Sequence, residues 1–172
     1  MKDSLHPYLR EEKIPLVFAG VEYLFPLFRL VDVYKNSISE FIEGNPDELD
    51  SVQLLKRGRP LVSPYLQRER EQAVGRYMDL LGGPLASGNI EKIVRGAAAG
   101  RIDTLFVNTG IQKWGKYDPV SGRAEVHSER QAGDEDLVDL AFRQAYLNGG
   151  NVYGLDSAQI TGDSGAAAIF RY

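Results

Sequence analysis

Apolar residues recur along the chain with a period that changes from stretch to stretch, and the changes mark the predicted elements. Residues 2 to 13 are polar with a few apolar positions, which suits a short helix leading into a strand at Ile14 to Ala19. Val21 to Val31 (VEYLFPLFRLV) is apolar on most sides and predicts a mostly buried helix, with Pro26 near its start or at a kink. Ser37 to Glu43 places Ile38 and Ile42 in one phase, as a partly exposed strand would. Asn45-Pro46-Asp47-Glu48 combines a capping side chain, a proline and two acids, so a helix is expected to begin at Asn45. Helical spacing persists from Asp50 to Leu81, interrupted at Gly58, Pro60 and Pro64, until Gly82-Gly83-Pro84 breaks it.

The second half alternates more regularly. Asn89 to Ala99 reads as a helix ended by Gly100, and Thr104 to Asn108 as a buried strand. Trp114 to Tyr117, a turn at Asp118 to Gly122 and Arg123 to Ser128 form a hairpin-like excursion, for which a loop is equally compatible. A further helix is expected from Asp134, with Asp134, Glu135 and Asp136 complementing its positive end and Leu137, Leu140, Ala141 and Ala145 forming its apolar stripe. Gly149-Gly150 closes it. Asn151 to Leu155 is a strand, Asp156 to Gly165 a polar loop and Ala166 to Tyr172 a last strand. This order predicts a layered α/β domain with a short central sheet.

Composition narrows the function classes. The 172 residues are 43% hydrophobic and 26% charged, enough for one large domain or two small ones. No stretch approaches the roughly 20 apolar residues of a membrane span, and no secretory leader is evident, so a cytoplasmic protein without a membrane partner is expected. The absence of cysteine removes disulfides, thiolate metal sites and cysteine nucleophiles. A net charge of -4 argues against a chain that coats itself on nucleic acid, and DNA is not an expected partner.

Local chemistry is sparse. Gly162-Asp163-Ser164-Gly165 copies the tetrapeptide around a serine-protease nucleophile, but only His6 and His127 exist as bases and the local pattern is a loop before a strand. The two histidines have no metal-ligand spacing, and the acids at 134 to 136 point in different directions from a helix start. No glycine pattern fits a nucleotide-binding loop, so no cofactor and no catalytic residue are assigned. Between Gln53 and Arg76, six basic residues stand against two acidic ones. Lys56, Arg57, Arg59, Arg68 and Arg70, with Arg76 beyond them, form the candidate RNA face, although Glu69 and Glu71 lie within it and a solvated helix with local ion pairs explains the same pattern. Trp114, Tyr117 and Phe170 offer rings for a base or a partner pocket, or for the core.

Four segments of the second half together resemble the C-terminal domain of archaeo-eukaryotic release factors and Pelota. They are Ile90 to Asn108 (IEKIVRGAAAGRIDTLFVN), Asp136 to Leu155 (DLVDLAFRQAYLNGGNVYGL), the polar loop and Ala166 to Tyr172 (AAAIFRY). Leu5 to Arg29 and Ile42 to Leu49 are similar to the end of the middle domain in the bacterial branch of that superfamily. The resemblance implies a three-layer L7Ae/L30e-like α/β/α domain at 84–172, a helical linker at 51–83 and, at 1–50, the tail of an RNase H-like middle domain. It also implies docking on the ribosome or a translation-factor partner. Release factors proper carry a Gly-Gly-Gln loop for peptide release, and this sequence has no such triplet, so the chain is expected not to be an enzyme in itself. Gly88-Asn89-Ile90-Glu91-Lys92 resembles the Gly-x-Asn-Glu segment with which L7Ae-like proteins grip kinked RNA, but Ile90 separates its Asn and Glu. That departure counts against kinked-RNA binding by this segment; a direct RNA-binding module of L7Ae type is the alternative to docking.

Overall fold

The computed structural model describes residues 14–155 and 158–172, and the chain divides into two compact units, Met1–Glu69 and Arg70–Tyr172. The helix expected within residues 2 to 13 lies outside the described residues.

In the first unit, β1 (Leu16–Gly20) and β2 (Ser37–Glu43) pair in parallel, connected through helix α1 (Leu24–Val31). Parallel neighbours need such a crossover, because a tight turn cannot reverse the chain twice. The rings of Phe18 and Phe28 stack at 4.8 Å and those of Phe25 and Phe41 at 4.4 Å, tying the helix to both strands. Pro26 is accommodated in the first turn, where backbone N–H groups have no intrahelical acceptor. The mostly buried helix is corrected here: Phe28 alone is buried in α1, while Tyr23, Leu24, Leu27, Leu30 and Val31 are exposed. Two described strands cover only one side of a helix.

Asn45 does not start the long helix. Its Oδ1 accepts from the Asp47 N–H at 3.2 Å and caps a single 3₁₀ turn, Pro46–Glu48. Helix α2 (Ser51–Leu80) begins after Asp50, whose Oδ1 accepts from the Gln53 N–H at 2.7 Å while the Gln53 Oε1 accepts from the Asp50 N–H at 3.3 Å. This reciprocal pair outcompetes the Asn45 cap for the helix start. α2 then runs through Gly58, Pro60 and Pro64 without ending, with Pro60 and Pro64 exposed so that the carbonyls they leave unbonded can meet water.

The second unit is built on a four-stranded sheet of order β3-β9-β4-β8, from β3 (Ala86–Ser87), β9 (Ala166–Phe170), β4 (Ile102–Asn108) and β8 (Asn151–Leu155). β4 and β8 are parallel; β9 runs antiparallel to β3 and β4. Strand alternation sorts the core into two halves. Leu105, Val107, Ala166, Ala168 and Phe170 meet α3 (Ile90–Ala98) and α4 (Leu137–Leu147) on one face. Phe106, Ala167 and Ile169 meet Tyr77, Ala73 and Val74 of α2 on the other. Alanines at 166 to 168 keep the central strand thin where helices approach from both sides. Asn89 caps α3 through the Lys92 N–H at 2.9 Å, as its sequence predicts, and Gly100 at φ 67° turns the chain out of it.

The excursion is a hairpin: β5 (Trp114–Asp118) pairs antiparallel with β6 (Arg123–Val126), and β7 (Glu135–Asp136) completes a three-stranded sheet on the other edge of β5. Helix α4 starts three residues later than the sequence suggests. Asp136 is its cap, bonded to the Val138 N–H at 3.0 Å, whereas Asp134 and Glu135 serve other partners. The expected loop at 156 to 165 contains, in its described part, a short helix α5 (Ala158–Thr161) and a 3₁₀ turn (Gly162–Ser164) before Gly165 at φ 72° delivers the chain into β9.

Candidate docking and RNA-binding faces

The five basic candidates sit on α2, where helical periodicity disperses them. Lys56 and Arg59 are three residues apart and share one side, and Arg57 and Arg68, eleven residues or close to three whole turns apart, share another. Lys56, Arg57, Arg59 and Arg68 are exposed, and Arg70, the first residue of the second unit, is half-buried. Arg57 is partly committed, since its guanidinium donates to the Glu43 carbonyl at 3.3 Å. Arg76 is withdrawn by an ion pair with Asp103 at 2.6 Å. Lys56 and Arg59 lie in a shallow groove with Val52, Leu55 and Pro60, so apolar and cationic surface alternate there. Such a face can meet phosphates or an acidic partner surface.

The remaining candidates are accounted for locally. Ser164 Oγ lies 2.6 Å from the Thr161 carbonyl and 2.8 Å from that of Ala166, so its hydroxyl fastens the turn into β9. His127 Nδ1 is 2.9 Å from Asp134 Oδ2, and Asp134 also accepts from the Gln131 N–H at 2.9 Å. Burial pushes the Asp134 carboxyl upward, but the His127 and Gln131 hydrogen bonds and the electrostatic interactions with His127 and Lys116 outweigh it and hold the group below its ordinary value. Phe170 is core, Tyr117 packs against the core half-buried, and Trp114 carries the Arg130 guanidinium 4.5 Å from its ring centroid. Asn89 and Glu91 are used by α3 itself, at its cap and in its first turn. Among the described residues, no group of three or more histidines and acids could hold a metal ion, and no helix is long and apolar enough to cross a membrane.

One surface escaped the sequence reading. On the outer side of α4, Phe142 (40% exposed) stacks beside Tyr146 (68%) at 6.3 Å between centroids, with Leu147 (76%) adjoining. Arg143, bridging Asp139 at 3.0 Å and Glu135 at 3.4 Å, rims this patch with charge. The signal was present as two aromatic residues four apart in opposite phase to Leu137, Leu140 and Ala141. Exposed aromatics framed by ion pairs are the usual anatomy of an interaction surface.

Comparison with known proteins places these features. The family described as bacterial archaeo-eukaryotic release factor family 3 matches residues 1–101. No curated protein matches the sequence. Among solved structures, the C-terminal domain of the peptide chain release factor from Methanosarcina mazei is similar at 16% identity and a TM-score of 0.50, covering 72% of this chain and 96% of that one. An archaeal Pelota, in a structure of ribosome-bound Pelota and ABCE1, is similar at 14% identity and a TM-score of 0.54 over 99% of this chain and 47% of that one. The chain thus spans about half the length of that Pelota. At these identities the likeness establishes the fold: an α/β arrangement similar to the C-terminal region of release factors and Pelota.

Proposed function

Since this chain belongs to bacterial archaeo-eukaryotic release factor family 3, we propose that it is a non-catalytic docking region of a release-factor-like protein. It engages the ribosome or a translation-associated protein partner in the cytoplasm. The observation that carries this reading is the exposed Phe142–Tyr146 pair on α4, within a fold similar to the C-terminal part of a ribosome-bound archaeal Pelota. Aromatic anchors in a charged rim supply buried area at low entropic cost, which suits docking rather than chemistry. On this reading residues 84–172 form an L7Ae/L30e-like three-layer domain, 51–83 a helical linker and 1–50 the tail of an RNase H-like domain. The assignment is tested by photo-cross-linking. A photoreactive side chain at position 146 is expected to cross-link to purified 70S ribosomes or to a purified translational GTPase or recycling ATPase. Failure with all of these, repeated from position 142, contradicts the proposal.

The second reading is direct RNA binding through Lys56, Arg57, Arg59, Arg68 and Arg70. It is supported by the exposure of the first four, and it predicts steep loss of affinity with added salt.

A further inference from the structure

A cleft of about 510 Å³ opens in the second unit between one side of α3, the turn joining β5 to β6 and the segment preceding β3. That volume lies within the ~300–1,000 Å³ of small-ligand sites. Lys92 and Arg95 project from α3 three residues apart, and Arg101 follows just beyond the helix; all three line the cleft and are exposed. No aspartate or glutamate lines it. The chain as a whole has 24 acids against 20 bases, so three cations lining one cleft with no aspartate or glutamate among them run against its composition.

Two of these cations are already positioned. Arg95 Nε donates to the neutral Glu91 carbonyl at 3.2 Å, which orients the guanidinium while leaving its charge and remaining donors available. Arg101 donates to the main-chain oxygen of Tyr172 and lies 5.1 Å from that residue's ring centroid. Cations held in place lose less freedom when a ligand arrives. Phe170 and Tyr117 supply an apolar floor, and Gly96 lets it close: a Cβ there would stand 2.5 Å from the Phe170 ring.

We propose that this cleft binds a ligand carrying two or more phosphate groups, bridged by Lys92, Arg95 and Arg101. Guanidinium groups match phosphate oxygens two at a time, and a second phosphate is needed to use three cations. The source is either a nucleoside polyphosphate or consecutive phosphodiesters of an RNA strand. This site is separate from α2 and from the α4 patch, so it stands or falls independently of the docking reading.

Calorimetric titration of the full chain with sodium tripolyphosphate tests it. Binding is expected at low salt, weakened at least tenfold in K92Q/R95Q and in A99E, which places a carboxylate in the cleft, and unchanged in K35Q, in the exposed turn before β2. The substituted positions are exposed, and unaltered thermal unfolding verifies that the variants fold. GTP binding as tightly as tripolyphosphate assigns a free nucleotide; a single-stranded oligouridylate binding at least tenfold tighter than GTP assigns an RNA strand. No binding of any of the three, or equal binding by K92Q/R95Q, overturns the proposal.

Discussion

The His127 imidazole lies 2.9 Å from the Asp134 carboxylate, whose side chain retains no exposed surface, so one hydrogen bond fastens the connection from β6 to β7. Because the Asp134 carboxyl is held below its ordinary value of about 3.9, its ionised form favours the folded state. That contribution is complete above the ordinary carboxylate range and fades as pH falls through the lower folded value. We expect D134N to be less stable than the parent at pH 7, with the difference shrinking below pH ~4. Urea unfolding followed by the fluorescence of Trp114, the chain's single tryptophan, on the adjacent strand measures it. A difference independent of pH contradicts the assignment.

Asn89 and Asn45 look alike in sequence and differ in consequence. Asn89 caps the nine-residue α3, whose Ile93, Val94 and Ala97 are wholly buried, whereas Asn45 caps only a 3₁₀ turn. N89A should cost about 1 kcal/mol. N45A should stay within about 0.5 kcal/mol, as surface changes usually do. Chemical denaturation of both variants checks the contrast, and equal losses argue against the capping roles described.

Gly115 is required by space. A Cβ at this position would stand 2.0 Å from the Glu125 carbonyl oxygen and 2.7 Å from Leu137 Cδ1. G115A should therefore separate β5 from β6 and abolish amide protection at His127, whose N–H donates to the Trp114 carbonyl at 2.8 Å, while protection in β4 persists in hydrogen exchange. Undisturbed protection across the hairpin contradicts this packing.

The period-2 and helical patterns of the second half were read correctly in outline because burial imposes them: β4 alternates Leu105 and Val107 against Phe106, and α3 presents Ile90, Ile93, Val94 and Ala97 to the sheet. Helix starts were less legible. Asp134, Glu135 and Asp136 are equally good first-turn acids, and only tertiary partners, His127, Arg143 and the Val138 N–H, separate their roles. Likewise Asn45 lost the start of α2 to Asp50, whose advantage depends on Gln53 reaching back. The cleft cations were not recognised together because Arg101 lies outside the helix that carries Lys92 and Arg95, and the outward ring pair of α4 was overshadowed by its core stripe.

Co-sedimentation with purified 70S ribosomes in sucrose gradients, at low and moderate salt, tests docking most directly. The parent chain should sediment with ribosomes at both salt concentrations. F142A/Y146A should stay at the top of the gradient, and a variant with Arg57, Arg59, Arg68 and Arg70 reversed in charge should still bind. Binding that vanishes at moderate salt and in the charge-reversed variant, with F142A/Y146A unaffected, would contradict docking through α4 and favour RNA contact along α2; no sedimentation at either salt would contradict ribosome docking altogether.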